Sequence, residues 1–318
     1  NGYPAPTIAY QWRRDGVDIS GANSTTYVTV SADAGKNITC YETATNASGS
    51  SNFTSNSLGP IIAAPSYEAE ATTLFGRMSP SPDAQLKFDI NTLIKALKDA
   101  SVWTKLDMLQ VYAVPTASYA LLDWVNSSRT AALVTAGSGP IFVADTGYKG
   151  TLSVADYINT NYNTTTAAGN YTQNNAHIGV YPTVDSTDTT SAGAADLGVT
   201  RAYMITRANS GTKQGLLNAT AGLYSETSLT TAVGHHVSSR GASGNIQTYR
   251  DGTQIQSSFS QTSAAPTNAN MRVLTREGGS SYSTRTIGLV HAGGALTAQN
   301  VADMNNAFVT YLTARGAL

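Results

Sequence analysis

The chemistry this chain could perform is limited by which reactive side chains stand close together. Glu68 and Glu70 in "YEAEA" are the one close pair of glutamates. On a strand, a spacing of two puts both carboxylates on one face, where an acid and a nucleophile can straddle a glycosidic bond. No third acid and no aromatic platform accompanies them, so the pair reads as a solvated strand edge. The four histidines are His177, His235, His236 and His291. None stands at a metal-binding helical i, i+4 or Cys/His spacing. His235 and His236 on a strand point to opposite faces. His177 in "NNAHIGVY" and His291 in "GLVHAGG" lie in apolar strands, which predicts buried, hydrogen-bonded imidazoles. Serine, histidine and aspartate are present without a G-x-S-x-G elbow. "AGSGP" and "EGGSS" lack the strand–helix setting of a nucleotide loop. The chain is therefore expected not to be an enzyme, and no cofactor is expected.

One segment stands apart. "GYKGTLSVADYINTNYNTTTAAGNYTQNNAH" (Gly147 to His177) sets tyrosines among asparagines in a loop-like run. Tyrosine offers an apolar face and a hydroxyl, and asparagine a paired donor and acceptor. The combination suits sugar rings, adaptable protein contacts, or a long loop whose amides satisfy its own backbone. Tyr148, Tyr157, Asn161, Tyr162, Asn163 and Tyr171 are the candidate carbohydrate contacts. Asp156, Asn159, Asn161 and Asn163 also place an oxygen every two or three residues. They are a candidate calcium set, although the EF-hand glycine and terminal glutamate are missing.

These residues sit in a chain of 318, long enough for two domains with real cores. Only 12% of residues are charged and the formal net charge is −1, which leaves no basic field for nucleic acid. No apolar run is long enough to span a membrane. The opening "NGYPAPTIAY" has no signal-peptide character. The single cysteine, Cys40, cannot form an internal disulfide. Asn-x-Ser/Thr triplets at Asn23, Asn37, Asn46, Asn163 and Asn218 are what a Ser/Thr-rich chain produces by chance.

The pattern predicts an all-β protein of two antiparallel sandwiches with a few helices. Residues 1–60 carry short strands separated by the turn residues of "SADAG" and "NASGS". Residues 61–66 form a linker within the proline-bearing "LGPIIAAPS". Residues 67–318 form the second domain. There "FDINTLIKALKDA" puts Ile90, Leu93, Ile94 and Leu97 on one helical face, with Asp89 or Asn91 able to start the helix. "TASYALLDWV" reads as a short helix capped by Thr116. The final segment has Thr297 as N-cap, a Leu296–Val301 staple and a stripe of Val301, Met304, Phe308, Tyr311 and Leu312, ended by Gly316.

Two resemblances add to this reading. "YQWRRDGVDISGANSTTYVTVSADAGKNITCYETATNASGSSNFTSN" resembles the immunoglobulin-like domains of phage structural and bacterial surface proteins, through Trp12, the Asp33/Gly35 corner and the "ATNASGS" hairpin. The resemblance implies that Trp12 plugs a core. It also implies that the domain's first strands, and any partner for Cys40, precede residue 1. Otherwise Cys40 is a buried thiol. The regions "DINTLIKALKDASVWTKLDMLQVYAVPTASYALLDWV", "DYINTNYNTTT" and "IGLVHAGGALTAQNVADMNNAFVTYLTARG" together resemble a domain of tailed-phage and gene-transfer-agent virion proteins. The β-part of that domain is similar to concanavalin A-like, laminin-G-like jelly rolls. This implies a virion-surface spike or fibre protein that binds host polysaccharide, with other virion proteins as neighbours. A ligand-free decoration protein and a capsule depolymerase are the alternatives.

Finally, "QWRRDGVDI" (Gln11 to Ile19) and "QTYRDGTQI" (Gln247 to Ile255) match at five places. Asp-Gly between alternating segments predicts a type I′ hairpin in each, one turn made twice.

Overall fold

The computed structural model describes residues 4–151, 156–167, 169–186, 195–196, 202–207, 213–220, 224–275 and 282–318. The chain divides into two compact units, Asn1–Ser66 and Tyr67–Leu318. Among the described residues the protein is mostly antiparallel sheet with four α-helices. No described helix is long and apolar enough to cross a membrane.

The first unit holds one four-stranded sheet, in the order Val17–Asp18, Thr7–Arg14, Ile38–Asn46, Gly49–Thr54. Asp15 and Gly16 take φ of 47° and 83°, the paired positive values of a type I′ turn, and close the first hairpin. Asp33 is fully buried and accepts from the Val30 amide, the Tyr27 hydroxyl and the Arg14 guanidinium, which fixes the Asp33/Gly35 corner. Trp12 differs from expectation. It is half-buried, stacked on Tyr27 at 5.8 Å, with its indole N–H on the Ser24 carbonyl. The reason is that the described residues supply no second sheet to enclose it. Cys40 is a buried free thiol, and burial pushes its pKa up.

The second unit has three layers. Its central sheet has eight strands among the described residues: seven follow the order Thr253–Ser260, Asn245–Arg250, His236–Arg240, Ala176–Val184, Thr286–Gly293, Gly147–Lys149, Ile141–Val143, and Leu106–Val111 also pairs with Thr286–Gly293. The second sheet runs Tyr224–Glu226, Lys213–Leu217, Ala202–Ile205, Ala195–Asp196, Asn270–Val273, Tyr157–Asn163, Ala132–Val134. Thr286–Gly293 and Ala176–Thr183 are buried at every position, so the central sheet is covered on both faces. On one face, polar bonds reach the second sheet: Gln110 donates to the Thr160 carbonyl, Ser238 to the Tyr224 hydroxyl and Arg240 to the Leu217 carbonyl. The other face receives the helices.

The helices are α1 (Ala69–Arg77), α2 (Ala84–Asp99), α3 (Ala117–Ala120) and α4 (Ala298–Ala314). The stripe of α4 is buried as its periodicity predicts: Val301, Met304, Phe308, Tyr311 and Leu312 are at most 2% exposed. Its start is a capping box between Thr297 and Asn300. Helix α2 begins earlier than expected, because Asp83 caps it by accepting from the Leu86 amide. Helix α1 corrects the strand reading of "YEAEA". Glu68 and Glu70 sit at its N-terminus, where carboxylates are favoured, and both pair with Lys98 of α2, at 2.6 and 2.8 Å.

Candidate functional site

The strand Tyr157–Asn163 positions the site. Ile158, Thr160 and Tyr162 point into the sandwich and are fully buried, while Tyr157, Asn159, Asn161 and Asn163 form the outward row. The register against Asn270–Val273 pairs Arg272 with Asn159 and Asn270 with Asn163, so Thr160, Asn161 and Tyr162 oppose the single Met271. That is a bulge. Asn161 adopts φ of 55°, a left-handed conformation asparagine tolerates better than most residues. The bulge is tied down from three directions. The Thr160 hydroxyl donates to the Met271 carbonyl (2.8 Å), the Asn161 amide to Asn159 Oδ1 (3.0 Å), and Asn161 Nδ2 to the Thr130 carbonyl (2.8 Å). At the strand's start the Arg272 guanidinium lies over the Tyr157 ring, 4.9 Å from its centroid.

Beside Asn161 opens a shallow surface pocket of about 290 Å³, lined by Asn126, Ser128, Arg129, Thr130, Asn161 and Ala167. The loop that carries the first four of these is held from beneath. Asp123, fully buried, accepts from the amides of Val125 (2.8 Å) and Asn126 (3.1 Å) and pairs with Arg129 at 2.7 Å. Burial raises the Asp123 pKa, and the Arg129 charge and backbone amides only partly offset it. Arg77 of α1 donates to the carbonyls of Asp123 and Arg129. The pocket floor is thus set before any ligand arrives.

The sequence-derived sugar set divides across the sheet. Tyr157, Asn161 and Asn163 lie on the outward face. Tyr148, Tyr162 and Tyr171 are at most 3% exposed, which removes them from contact with a ligand. Tyr148 packs on Tyr112 and Phe142, and burial pushes its pKa up to about 12. Tyr162 donates to Asp107, and Tyr171 to Asn218 Oδ1 (2.8 Å). Period-two alternation within "YINTNYN" already separates Tyr162 from Asn161, a signal the composition of the segment obscured. Part of that segment, residues 152–155 and 168, lies outside the described residues, as does "EGGSS".

The candidate calcium set does not converge. Asp156 is 1% exposed and its carboxylate is already full: it accepts from the amides of Ala136, Gly137 and Gly139 and from the Thr151 hydroxyl. Burial works to raise its pKa, but those four bonds prevail and hold it at about 2. The "AGSGP" loop is therefore a nest for the chain's own carboxylate. Asn163 Oδ1 is committed to the amide and hydroxyl of Thr165, and its Nδ2 to Asn268. Among the described residues, no group of three or more His, Cys, Asp or Glu could hold a metal ion.

Three histidines do come together, which the sequence did not announce. His177 Nε2 lies 3.0 Å from His291 Nδ1, and His291 Nε2 lies 2.9 Å from His235 Nε2. All three are fully buried, and His235 and His291 pack against Phe308 of α4. The Gly294 carbonyl can only accept, so His177 Nδ1 carries a proton. With neutral rings the direction of the whole row follows: His291 Nδ1 donates to His177, and His235 Nε2 donates to His291. His291 uses both ring nitrogens in different directions, so the three rings do not face one point as metal ligands would. His236 points to the opposite face and meets the Ala232 carbonyl (2.9 Å).

A larger groove of about 630 Å³ runs between α2 and α4 over Leu93, Ala96, Ala307 and Tyr311. Its floor is apolar. Of the acids on its walls, Asp89 pairs with Arg315 and Asp99 with Lys95.

No protein-family model matches the chain, and no curated protein sequence does either. Solved structures that align with part of the chain include the botulinum neurotoxin serotype D binding domain, 12% identical with TM-score 0.48, covering 66% of this chain and 52% of that one. Another is domain 4 of AbnA, a GH43 extracellular arabinanase from Geobacillus stearothermophilus, in complex with arabinotriose: 14% identical, TM-score 0.43, covering 63% of this chain and 98% of that one. A third is a Trypanosoma rangeli sialidase mutant displaying trans-sialidase activity: 9% identical, TM-score 0.45, covering 86% and 43%. The chain spans about half the length of the neurotoxin domain it matches.

Proposed function

We propose that this chain is a non-enzymatic adhesion protein of a virion surface, and that unit 67–318 binds host cell-surface polysaccharide through the outward face of Tyr157–Asn163. One observation carries the binding assignment. An aromatic ring at Tyr157 and a row of outward asparagines lead to a preorganised, hydroxyl- and amide-lined pocket. Sugars present C–H faces to rings and hydroxyl edges to amides. The spike or fibre setting, on a tailed phage or a gene-transfer-agent-like particle, rests on the sequence resemblance alone. Many copies on one particle would convert weak single-site binding into avidity.

The non-enzymatic reading is supported by where the reactive groups lie. Glu68 and Glu70 are engaged with Lys98, and His177, His235 and His291 are sealed in the core. The test is an array of bacterial capsular and O-antigen polysaccharides, paired with binding to capsulated and acapsular cells. The expected result is selective capture of a polysaccharide that Tyr157→Ala abolishes while the fold is retained. Equal binding to both cell types with a silent array would leave a decoration protein. Release of reducing ends from purified capsule would make the chain a depolymerase.

A further inference from the structure

The face described above has two separated features rather than one, and their spacing says what kind of glycan fits. The Tyr157 ring and the Asn161 pocket lie on one strand, four residues apart, a distance of at most roughly 13 Å at ~3.3 Å per residue. That exceeds the width of one sugar ring. Between them the strand presents only Asn159 outward, and its Oδ1 is turned back onto the Asn161 amide. Nothing bulky in that row divides the two ends.

The pocket also has a definite charge character. Among the described residues, the one ionisable side chain lining it is Arg129, and its guanidinium is turned inward. It donates to Asp123 Oδ2 (2.7 Å) and the Asp107 carbonyl (2.9 Å) and lies over the Tyr162 ring at 5.0 Å. Asp123 balances it. The lining that remains is Asn126, Ser128, Thr130, Asn161 and Ala167, which is hydroxyl, amide and methyl. Such a lining matches uncharged hydroxyl groups better than carboxylate or sulfate, because it offers no net charge to offset their desolvation.

We infer that the ligand is a linear polysaccharide bound lengthwise along Tyr157–Asn163 through internal residues, with one sugar against Tyr157 and an uncharged one seated in the Asn161 pocket. The inference rests on the glycan-binding reading and adds chain length, direction and an uncharged pocket sugar to it. A terminal sugar would use one feature and leave the other idle.

The test takes the polysaccharide that scores on the array and cuts it to a monosaccharide, a trisaccharide and a hexasaccharide. Binding to the full chain is then measured by calorimetry. Affinity should rise with length, with the hexasaccharide at least about tenfold tighter than the monosaccharide. Ala167→Phe is the discriminating variant. Ala167 is exposed at the pocket, so the added ring fills the pocket without entering the core. It should bring the hexasaccharide down toward the affinity of the monosaccharide. Tyr157→Ala should weaken every length. Equal affinity for all lengths, or an Ala167→Phe variant that binds the hexasaccharide normally, would overturn the lengthwise chain while the adhesion reading survived. A scoring array with no binding by any oligomer would also overturn it, because internal residues would then not suffice. A silent array would overturn both.

Discussion

Gly179 lies flat beneath the imidazole of His291, on the neighbouring strand of the central sheet. The two residues are register partners, and a Cβ built on Gly179 would fall 2.1 Å from both Cε1 and Nε2 of the ring. The glycine is needed here for space, not for its dihedrals. It lets His291 lie close to the sheet, where it meets His177 on one side and His235 on the other.

Gly179→Ala should therefore destabilise the larger unit by roughly 1–3 kcal/mol, the usual cost of overpacking a tight core. The ring cannot swing away without breaking two hydrogen bonds, which favours the upper end. Urea unfolding of the full chain, followed by the transition that includes α4, measures it. An unchanged midpoint would mean that the row is looser than its geometry.

The histidine row also gives the protein an acid limit. Burial pulls the His177 pKa down to about 4 and carries His291 well below its ordinary value. In the unfolded chain both titrate near 6.5. Between those values the unfolded state binds more protons, so stability is lost as pH falls from about 6.5 toward 4 and is fully present above. For His177 the effect is on the order of 3 kcal/mol by the pH 4 end. Stability measured from pH 7.5 to 4.5 should fall, and His177→Gln should flatten the slope. A slope that survives the substitution unchanged would count against this assignment.

Asp123 and Arg129 predict a larger single-site effect. Both side chains are at most 6% exposed and 2.7 Å apart. Asp123→Ala leaves a buried guanidinium without its counter-charge, which typically costs about 3–5 kcal/mol. It also frees the loop that carries Asn126, Ser128 and Thr130, so glycan binding should weaken in any protein that still folds. Hydrogen exchange of residues 124–130 would report the loosening directly.

Asn161 separates backbone from side-chain effects. Its φ of 55° disfavours β-branched residues, so Asn161→Val should cost on the order of 1–3 kcal/mol. Asn161→Gly accepts the conformation but loses the bond to the Thr130 carbonyl. The glycine variant should keep most stability and lose pocket order. Comparing thermal midpoints with glycan affinity distinguishes the two, since a merely structural asparagine would move both together.

Local features were legible from the residues alone. Asp251 and Gly252 take φ of 50° and 80°, close to Asp15 and Gly16, so the matched stretches are one turn made twice. The α4 stripe, its Thr297 cap and the opposite orientations of His235 and His236 were equally readable, because each depends on periodicity or dihedral preference within a few residues. Arg272, Asn126, Ser128 and Thr130 were not. They reach the candidate site from strands and loops distant in sequence, and no local pattern marks them.

The sequence by itself determined a mostly β protein, its turns, its terminal helix and a segment of tyrosines set among asparagines. Only the tertiary structure decided which of those tyrosines are available. Tyr157 lies on the outward face, and Tyr148, Tyr162 and Tyr171 became core. The physical reason is that a strand fixes which side chains alternate, while the layer that packs against it fixes which alternate set is buried. The same holds for the histidines. Three imidazoles far apart in the chain share a row because adjacent strands place them there and Gly179 leaves the room.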